Sequence, residues 1–187
     1  MSAGSKKTVR RRTIMELWDV YRMDRTKSGR TIVRDGTFKS GEYHLAVHAC
    51  IFNAKGEMLI QQRQPFKSGW PNMWDVTVGG SAISGDTSQT AMERELFEEI
   101  GLKIDLQNVR PHLTVNFDVG FDDIYLIEKD LDIETLTLQY EEVQRVKWAS
   151  VDEICQMLDE GVFIPYYKNL IRLLFDMRKQ YGAHQVT

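Results

Sequence analysis

Hydrophobic and polar positions along the chain predict short β-strands on both sides of one central helix. Residues 43–52 form a nearly continuous apolar run, which is typical of a buried strand. A turn at residues 53–56 and an apolar segment at residues 57–63 predict its hairpin partner. Earlier in the chain, residues 16–23 alternate between apolar and polar and residues 31–34 can return beside them, so an N-terminal β-hairpin extension is expected.

The second half of the chain adds further strands and two helices. Strands are predicted at residues 76–78, 109–117, 124–128 and 143–148, and helices at residues 150–160 and 165–181. Strands that alternate with amphipathic helices indicate an α/β sandwich with a mixed β-sheet between helical layers. We expect residues 13–187 to form a single domain, with residues 13–42 as the hairpin extension and residues 43–181 as the core. Residues 1–12 are basic and polar, and we expect a disordered tail.

The central helix carries the clearest chemical signal. It is predicted to begin with Asp86 as N-cap and to end at Ile100, before Gly101. With Glu95 at zero on a helical wheel, Glu98 lies at about −60° and Glu99 at about +40°, so three carboxylates share one face. An apolar stripe lies beside them and consists of Met92, Leu96 and Ile100.

Three neighbouring carboxylates repel one another by roughly 0.2–0.5 kcal/mol per pair when nothing neutralises them. A hard divalent cation such as Mg²⁺ or Mn²⁺ would reverse the sign of that interaction. Arg94 can pair with Glu98 or contact a phosphate. The alternative interpretation is an ordinary exposed acidic helix face.

Composition narrows the class of partner. The chain has 187 residues and a net charge of −3, with 42% hydrophobic and 27% charged residues, which is ordinary for a globular domain. The small net charge gives no reason to expect nucleic acid or a membrane as partner. Cys50 and Cys155 form neither a metal motif nor a disulfide framework. With no apolar run of 18 residues and no signal-peptide pattern, we expect a cytoplasmic protein.

The stretch from Gly79 to Leu102 resembles the Nudix box. Eight of its nine defining positions match, and at the ninth Asp86 replaces the usual Glu. The nine positions are Gly80, Asp86, Arg94, Glu95, Leu96, Glu98, Glu99, Gly101 and Leu102. The resemblance implies a Nudix α/β/α sandwich and a metal-dependent hydrolase that cleaves a nucleoside diphosphate linked to another moiety.

The same resemblance implies roles for individual residues. Glu95, Glu98 and Glu99, with the Gly80 carbonyl oxygen, would bind Mg²⁺ or Mn²⁺, and Arg94 would orient the cluster. The general base is left open among Glu95, Glu98 and Glu142. Because Asp86 is shorter than Glu, we expect it to cap or support the helix rather than bind metal.

A loop rich in aromatic residues precedes the glycines. Trp70 and Trp74 are candidates for stacking a base or shaping a pocket, although they can equally fix the loop to the core. Arg63 and His44 complete the predicted substrate-binding set. His44 and His48 lie about 13 Å apart on one strand face, too far to share a metal, so we favour structural or pocket-wall roles for them.

Residues 44–75 also resemble type-I isopentenyl diphosphate isomerase, a member of the same superfamily. At the positions of that enzyme's cysteine and of a metal-binding histidine, this chain has Gly79 and Ser81. We therefore expect a hydrolase of the isomerase-like branch acting on a small-molecule diphosphate. A Nudix-fold nucleotide-binding regulator and, less favoured, an isomerase remain as alternatives. The aromatic residues of the last helix leave a homodimer open.

Overall fold

The computed structural model describes residues 16–34 and 36–184, so the predicted basic tail at residues 1–12 lies outside the described part. The N-terminal half contains β1 (Leu17–Tyr21), β2 (Lys27–Val33), β3 (His44–Phe52), β4 (Met58–Arg63), β5 (Trp74–Asp75), β6 (Val78–Ser81) and α1 (Ser88–Ile100). The C-terminal half contains β7 (Leu113–Phe117), β8 (Gly120–Glu128), a 3₁₀ turn (Ile133–Thr135), β9 (Val143–Ala149), α2 (Val151–Asp159) and α3 (Lys168–Met177).

The main sheet is mixed, as predicted. Its strands follow the order β5-β4-β3-β8-β7, with β6 also paired to β3 and β9 to β4. The β3–β8 pair is parallel and the other pairs are antiparallel. Alternate side chains of β3 enter two separate apolar cores, one beneath α1 and one beneath α2 and α3. The sheet therefore lies between two helical layers, which confirms the α/β sandwich.

Strands β3 and β4 separate soon after their connecting turn, and their only ladder pair in the described sheet joins Phe52 to Met58. Beyond that pair, β3 forms its backbone hydrogen bonds with β6 and β8, whereas β4 forms them with β5 and β9. Thr77 bridges the two strands where they separate, because its hydroxyl accepts from Ile51 N of β3 (2.9 Å) and donates to Leu59 O of β4 (2.5 Å). This separation leaves room between β4 and β6 beside Gly79 and Gly80, the glycines of β6.

The N-terminal hairpin forms a two-stranded sheet of its own, in which β1 and β2 pair antiparallel. Its second strand begins at Lys27 rather than at residue 31, so it is longer than the sequence pattern predicts. A two-bond bridge between Tyr21 and Tyr43 joins the hairpin to the chain just before β3.

Two predicted helix starts are wrong. Thr87, not Asp86, caps α1: its hydroxyl accepts from Thr90 N at 3.2 Å, while Thr90 Oγ accepts from Thr87 N at 2.9 Å. Helix α3 begins at Lys168 rather than at Pro165. The chain is still extended before Pro165, because Ile164 N donates to Trp74 O at 2.8 Å.

Helix α3 also ends at Met177, earlier than the predicted residue 181, whereas the remaining helix boundaries agree closely with the sequence. Gly101 ends α1 in the left-handed conformation (φ 71°), which is the role predicted for it. Ser150 caps α2 by accepting from Glu153 N at 3.2 Å. The longest described helix, α1, has 13 residues, and none of the described helices combines the length and apolarity needed to span a membrane.

Candidate active site

The three glutamates on the acidic face of helix α1 differ in how deeply they are buried. Glu99 is 4% exposed and packs with the buried face of the helix, whereas the Glu98 side chain is 47% exposed. Glu95 lies between them and is mostly buried. The gradation follows from the helical angles, because Glu99 and Glu95 lie nearer to the apolar stripe than Glu98 does.

Strand β6 brings backbone close to these carboxylates because Gly79 and Gly80 have no side chains. A Cβ atom at Gly80 would collide with the carboxylate of Glu95, and one at Gly79 would collide with the ring of His48. Both glycines pair with β3, at His48 and Val47, so their backbone is fixed by the sheet. The glycines therefore allow the acidic face of α1 to lie directly against β6.

Arg94 joins the helix to the loop before it. Its Nη2 donates to Ser81 O and Asp86 Oδ2, each at 3.0 Å. Its Nη1 donates to Glu95 Oε1 at 2.8 Å and Glu98 Oε2 at 3.3 Å. Because Asp86 is occupied with Arg94, the structure places it as a support for the arginine.

These groups line one cavity of about 230 Å³. Its walls combine five carboxylates with four cations and a few neutral groups. The lining residues are Glu16, Arg34, Arg63, Lys67, Gly79, Gly80, Ser81, Arg94, Glu95, Glu98, Glu99, Gln139 and Glu142. Cations next to carboxylates suit a ligand that carries both phosphate groups and a divalent ion.

Burial makes the two inner carboxyl groups hard to ionise. Burial, with a smaller contribution from the charge of Glu95, raises the pKa of Glu99 to about 8, although Gln61 Nε2 donates to Glu99 Oε2 at 2.9 Å. Burial likewise raises the pKa of Glu95 to about 7, against the opposing charge of Arg94. A nearby positive charge would favour the ionised form of both groups.

The donor set fits a hard divalent cation. Every candidate donor is an oxygen, from the carboxylates of Glu95, Glu98 and Glu99 or from the carbonyl of Gly80. Within residues 16–34 and 36–184, no three acidic, histidine or cysteine side chains already converge as ligands. Arg94 and Gln61 hold carboxylate oxygens instead, and Gln61 Oε1 is buried without a hydrogen-bond partner among the described residues. A cation must therefore replace these contacts.

Arg63 lines the acidic cavity, but the other predicted substrate-binding residues do not. His44 is buried in an aromatic stack, with its ring centroid 4.6 Å from that of Trp18 and 5.4 Å from that of Phe38. Trp74 is buried, and Arg145 and Lys147 lie over its ring. Trp70 is half exposed in the loop after β4. The two tryptophans thus differ: Trp74 fixes the loop to the core, whereas Trp70 remains accessible.

Six residues of the cavity lining were not among the predicted site residues: Glu16, Arg34, Lys67, Gly79, Ser81 and Gln139. Glu16 and Arg34 flank the hairpin and pair at 2.9 Å. Lys67 pairs with Glu142. Among these six residues, only Gly79 and Ser81 lie in the Nudix-box stretch, and no local pattern marks the others, because hairpin and loop contacts bring them to the cavity.

The hairpin also holds the loop before α1. Asp19 accepts from Ser84 Oγ and Gly85 N, each at 2.9 Å. Lys27 Nζ lies 2.7 Å from Asp19 Oδ2 and donates to Asp86 O at 2.6 Å. The loop that carries Asp86, the partner of Arg94, is therefore anchored from outside the sandwich.

A second cavity, of about 320 Å³, lies on the face of the sheet that α3 covers. It is mainly apolar, but His48 Nδ1 lies 2.7 Å from Asp122 Oδ1 at its wall. The Tyr166 hydroxyl, also at this cavity, donates to Asp75 Oδ1 at 2.9 Å. His48, at the wall of this cavity, packs directly against Gly79, which lines the acidic cavity.

A NUDIX domain profile matches residues 42–170, which include β6, α1 and β9. The chain belongs to the Nudix hydrolase family. An uncharacterised Nudix hydrolase of Listeria monocytogenes is 43% identical over 170 residues, which cover 91% of this chain and 99% of that protein. The isopentenyl-diphosphate Delta-isomerase of Salmonella typhi is 28% identical over 123 residues, covering 62% of this chain and 66% of that enzyme.

Solved structures agree with this membership. The crystal structure of DR0079 from Deinococcus radiodurans has a TM-score of 0.68 and 25% sequence identity to this Nudix hydrolase, with 89% of this chain and 100% of that chain covered. The domain profile begins at residue 42, so the hairpin of β1 and β2 lies outside the profile match, whereas DR0079 and the Listeria relative extend over most of the chain.

Proposed function

We propose that this Nudix hydrolase cleaves a diphosphate linkage in a nucleoside diphosphate derivative and that it depends on Mg²⁺ or Mn²⁺. One observation carries the proposal: the acidic face of α1, the backbone of Gly80 and the cations Arg63 and Lys67 line a single cavity. Cations next to buried carboxylates suit a small molecule that brings phosphate oxygens and a divalent ion together. No membrane or nucleic-acid partner is needed.

Each group has a distinct task in the proposed reaction. Glu98, Glu99 and Glu95, with the Gly80 carbonyl oxygen, would hold the metal. When bound, a divalent ion neutralises phosphate charge and makes an attacking water more acidic. Arg63 and Lys67 bind and orient the phosphate groups. Arg94 keeps Glu95 and Glu98 in place through hydrogen bonds of 2.8 and 3.3 Å.

We assign the proton acceptor to Glu95 rather than to Glu142. The carboxylate of Glu95 lies against the Gly80 backbone, beside the proposed metal position, and Arg94 Nη1 fixes its Oε1 at 2.8 Å, so it is placed to accept a proton from a water bound there. Glu142 is instead held on the loop before β9, where its carboxylate contacts Lys67, one of the proposed phosphate-binding cations. Comparing Glu95→Gln with Glu142→Gln tests the assignment: we expect the first to remove kcat and the second chiefly to raise KM. A larger loss of kcat in Glu142→Gln would reverse it.

The isomerase alternative is disfavoured by the packing at Gly79. The isomerase resemblance requires a cysteine there, but a side chain at this position would collide with the ring of His48. That ring is fixed by Asp122, 2.7 Å from His48 Nδ1. The position therefore holds no acid for protonating a carbon–carbon double bond.

The direct test is incubation of the purified protein with Mg²⁺ or Mn²⁺ and a panel of diphosphates, followed by ³¹P NMR. The panel contains a nucleoside diphosphate, a nucleotide sugar, ADP-ribose, a dinucleoside polyphosphate and isopentenyl diphosphate. We expect metal-dependent phosphate products, with no turnover by Glu99→Gln and normal turnover by Glu160→Gln, a variant at the exposed glutamate that follows α2. Binding without turnover would support a regulator, and formation of dimethylallyl diphosphate would support an isomerase.

A further inference from the structure

Two exposed aromatic rings meet on the loops that carry Lys67 and Gln139, two residues of the acidic cavity wall. Phe66 and Tyr140 are 57% and 71% exposed, and their ring centroids lie 5.8 Å apart with an interplanar angle of 42°. Large aromatic side chains contribute most when they are buried. A pair of them left largely open beside a polar cavity indicates a surface that a ligand covers.

The backbone on both sides of this pair is tied to the cavity wall. Lys67 and Gln139, the neighbours of the two aromatic residues in sequence, both line the cavity. Gln139 N donates to Glu99 O at 2.9 Å, which fixes the Tyr140 segment to the end of α1. Gln64 N donates to Glu142 O at 3.1 Å and joins the two loops. The backbone that carries the two rings is therefore fixed relative to the carboxylates.

The ion pair between Lys67 and Glu142 lies between the same two loops. A ligand whose phosphates contact Lys67 therefore brings the group attached to them towards Phe66 and Tyr140. A planar group can stack on such rings, and base–aromatic stacking contributes about 1–3 kcal/mol for any base. An aliphatic group gains much less there, because it has no π-face to stack.

From this juxtaposition we propose that Phe66 and Tyr140 form the binding site for the aromatic base of the substrate. The proposal rests on the proposed function and deepens it, because it assigns the residues that recognise the nucleoside of the substrate. Phe66 and Tyr140 act as specificity-determining residues, since they distinguish a nucleoside diphosphate from an aliphatic diphosphate that contacts the same cations.

Two other locations compete for the base. Trp70 lies on the same loop as Phe66 and is half exposed, but it makes no ring contact within the described residues. The apolar cavity beside His48 lies on the other side of β6, with the exposed Tyr167 at its mouth. Phe66 and Tyr140 are favoured because their neighbours in sequence line the acidic cavity itself.

The test measures binding without turnover, by calorimetry in Mg²⁺. The probes are α,β-methylene-ADP and methylenediphosphonate, which share a non-hydrolysable diphosphate and differ in the nucleoside. In the double variant Phe66→Leu, Tyr140→Leu, we expect the Kd of α,β-methylene-ADP to rise about 5- to 150-fold. The Kd of methylenediphosphonate should be unchanged. Phe66→Trp, which keeps a stacking ring, should bind the nucleotide as the wild-type protein does.

Tyr167→Leu is the matched control, because it also removes an exposed aromatic ring but lies at the other cavity. Unchanged nucleotide affinity in the double variant, or a greater loss in Tyr167→Leu, would overturn the base-binding site. Failure of methylenediphosphonate to bind the wild-type protein would instead count against the proposed function. The two failures are therefore distinguishable.

Discussion

Arg94 Nη2 donates a hydrogen bond to Asp86 Oδ2 over 3.0 Å, across the start of the helix that carries both the arginine and the acidic cluster. Asp86 is free to make this bond because Thr87 performs the capping. Asp86 Oδ2 also accepts from Ile83 N at 3.1 Å, which fixes the carboxylate to its own loop. The shorter side chain at this Nudix-box position therefore still reaches the arginine.

Removing the Asp86 carboxylate should disturb Arg94 and, through it, Glu95. Hydrogen bonds to charged groups contribute about 1.5–3 kcal/mol, so we expect Asp86→Ala to lower kcat about 10- to 150-fold. Asp86→Glu, which restores the residue usual in the family, should recover most of the activity. Steady-state kinetics of both variants at saturating Mg²⁺ measures the effect. An equal loss of kcat in the two variants would show that this position requires the size of aspartate and not merely a carboxylate.

The hairpin should matter for catalysis although it lies outside the domain profile. Asp19 accepts from both Ser84 Oγ and Gly85 N, and an asparagine offers only one oxygen to these two donors. We expect Asp19→Asn to lower kcat about 2- to 10-fold, in line with the loss of a single net hydrogen bond. The measurement is kcat beside the thermal midpoint of unfolding.

Glu42→Gln is the control for the hairpin, since it removes the ion pair of Arg30 with Glu42, which does not involve the Ser84–Asp86 loop. It should leave kcat unchanged. If both variants lost activity in proportion to their loss of stability, the hairpin would have a purely structural role.

Gly80 should be intolerant of even one added carbon. A Cβ would collide with the carboxylate of Glu95, which is the end of a flexible side chain, so the chain can fold while the carboxylate moves. We expect Gly80→Ala to lower kcat about 100-fold, the scale of effect for a misplacement of about 1 Å. Its circular dichroism spectrum should be unchanged. Gly69→Ala, where a Cβ meets no atom within 4 Å, should retain full activity.

The His48–Asp122 pair should make stability fall at alkaline pH. Burial alone would lower the pKa of His48, but the charge and hydrogen bond of Asp122 outweigh it and raise the pKa to about 9. The stabilisation from this raised pKa is complete below the unfolded value of about 6.5 and is lost as pH rises through 9. Denaturant unfolding at pH 6.5 and 9.5 measures the loss, about 1.4 kcal/mol for each pKa unit.

Asp122→Asn should flatten that pH dependence, because the asparagine no longer favours the charged imidazole. An equally steep fall in the variant would assign the dependence to other groups.

The sequence predicted most of the fold because its signals are local. The apolar run at β3, the Asn53–Gly56 turn and the cap at Ser150 each depend on neighbours a few residues away. The acidic face of α1 is equally local, since it follows from helical spacing alone. The prediction of Asp86 as N-cap was wrong because both Asp and Thr can cap a helix, so residue type does not distinguish Asp86 from the adjacent Thr87. In the structure Thr87 accepts from Thr90 N, whereas Asp86 Oδ2 accepts from Arg94.

The rest of the cavity depends on contacts between distant segments. Glu16 and Arg34 reach it because Asp19 and Lys27 attach the hairpin to the loop before α1, some sixty residues later. His44 looked like a pocket residue but is enclosed by rings from three separate segments. Such packing depends on the tertiary structure, and no periodicity in one strand can indicate it.

The central claim, that the acidic face of α1 and the Gly80 backbone bind a divalent ion, is tested most directly by soaking crystals of the protein in Mn²⁺ and calculating an anomalous difference map. We predict a peak bound by Glu98 and Glu99 beside Gly80, and no peak there in Glu99→Gln crystals. An empty map at that position, with the carboxylates still held by Arg94 and Gln61, would contradict the claim.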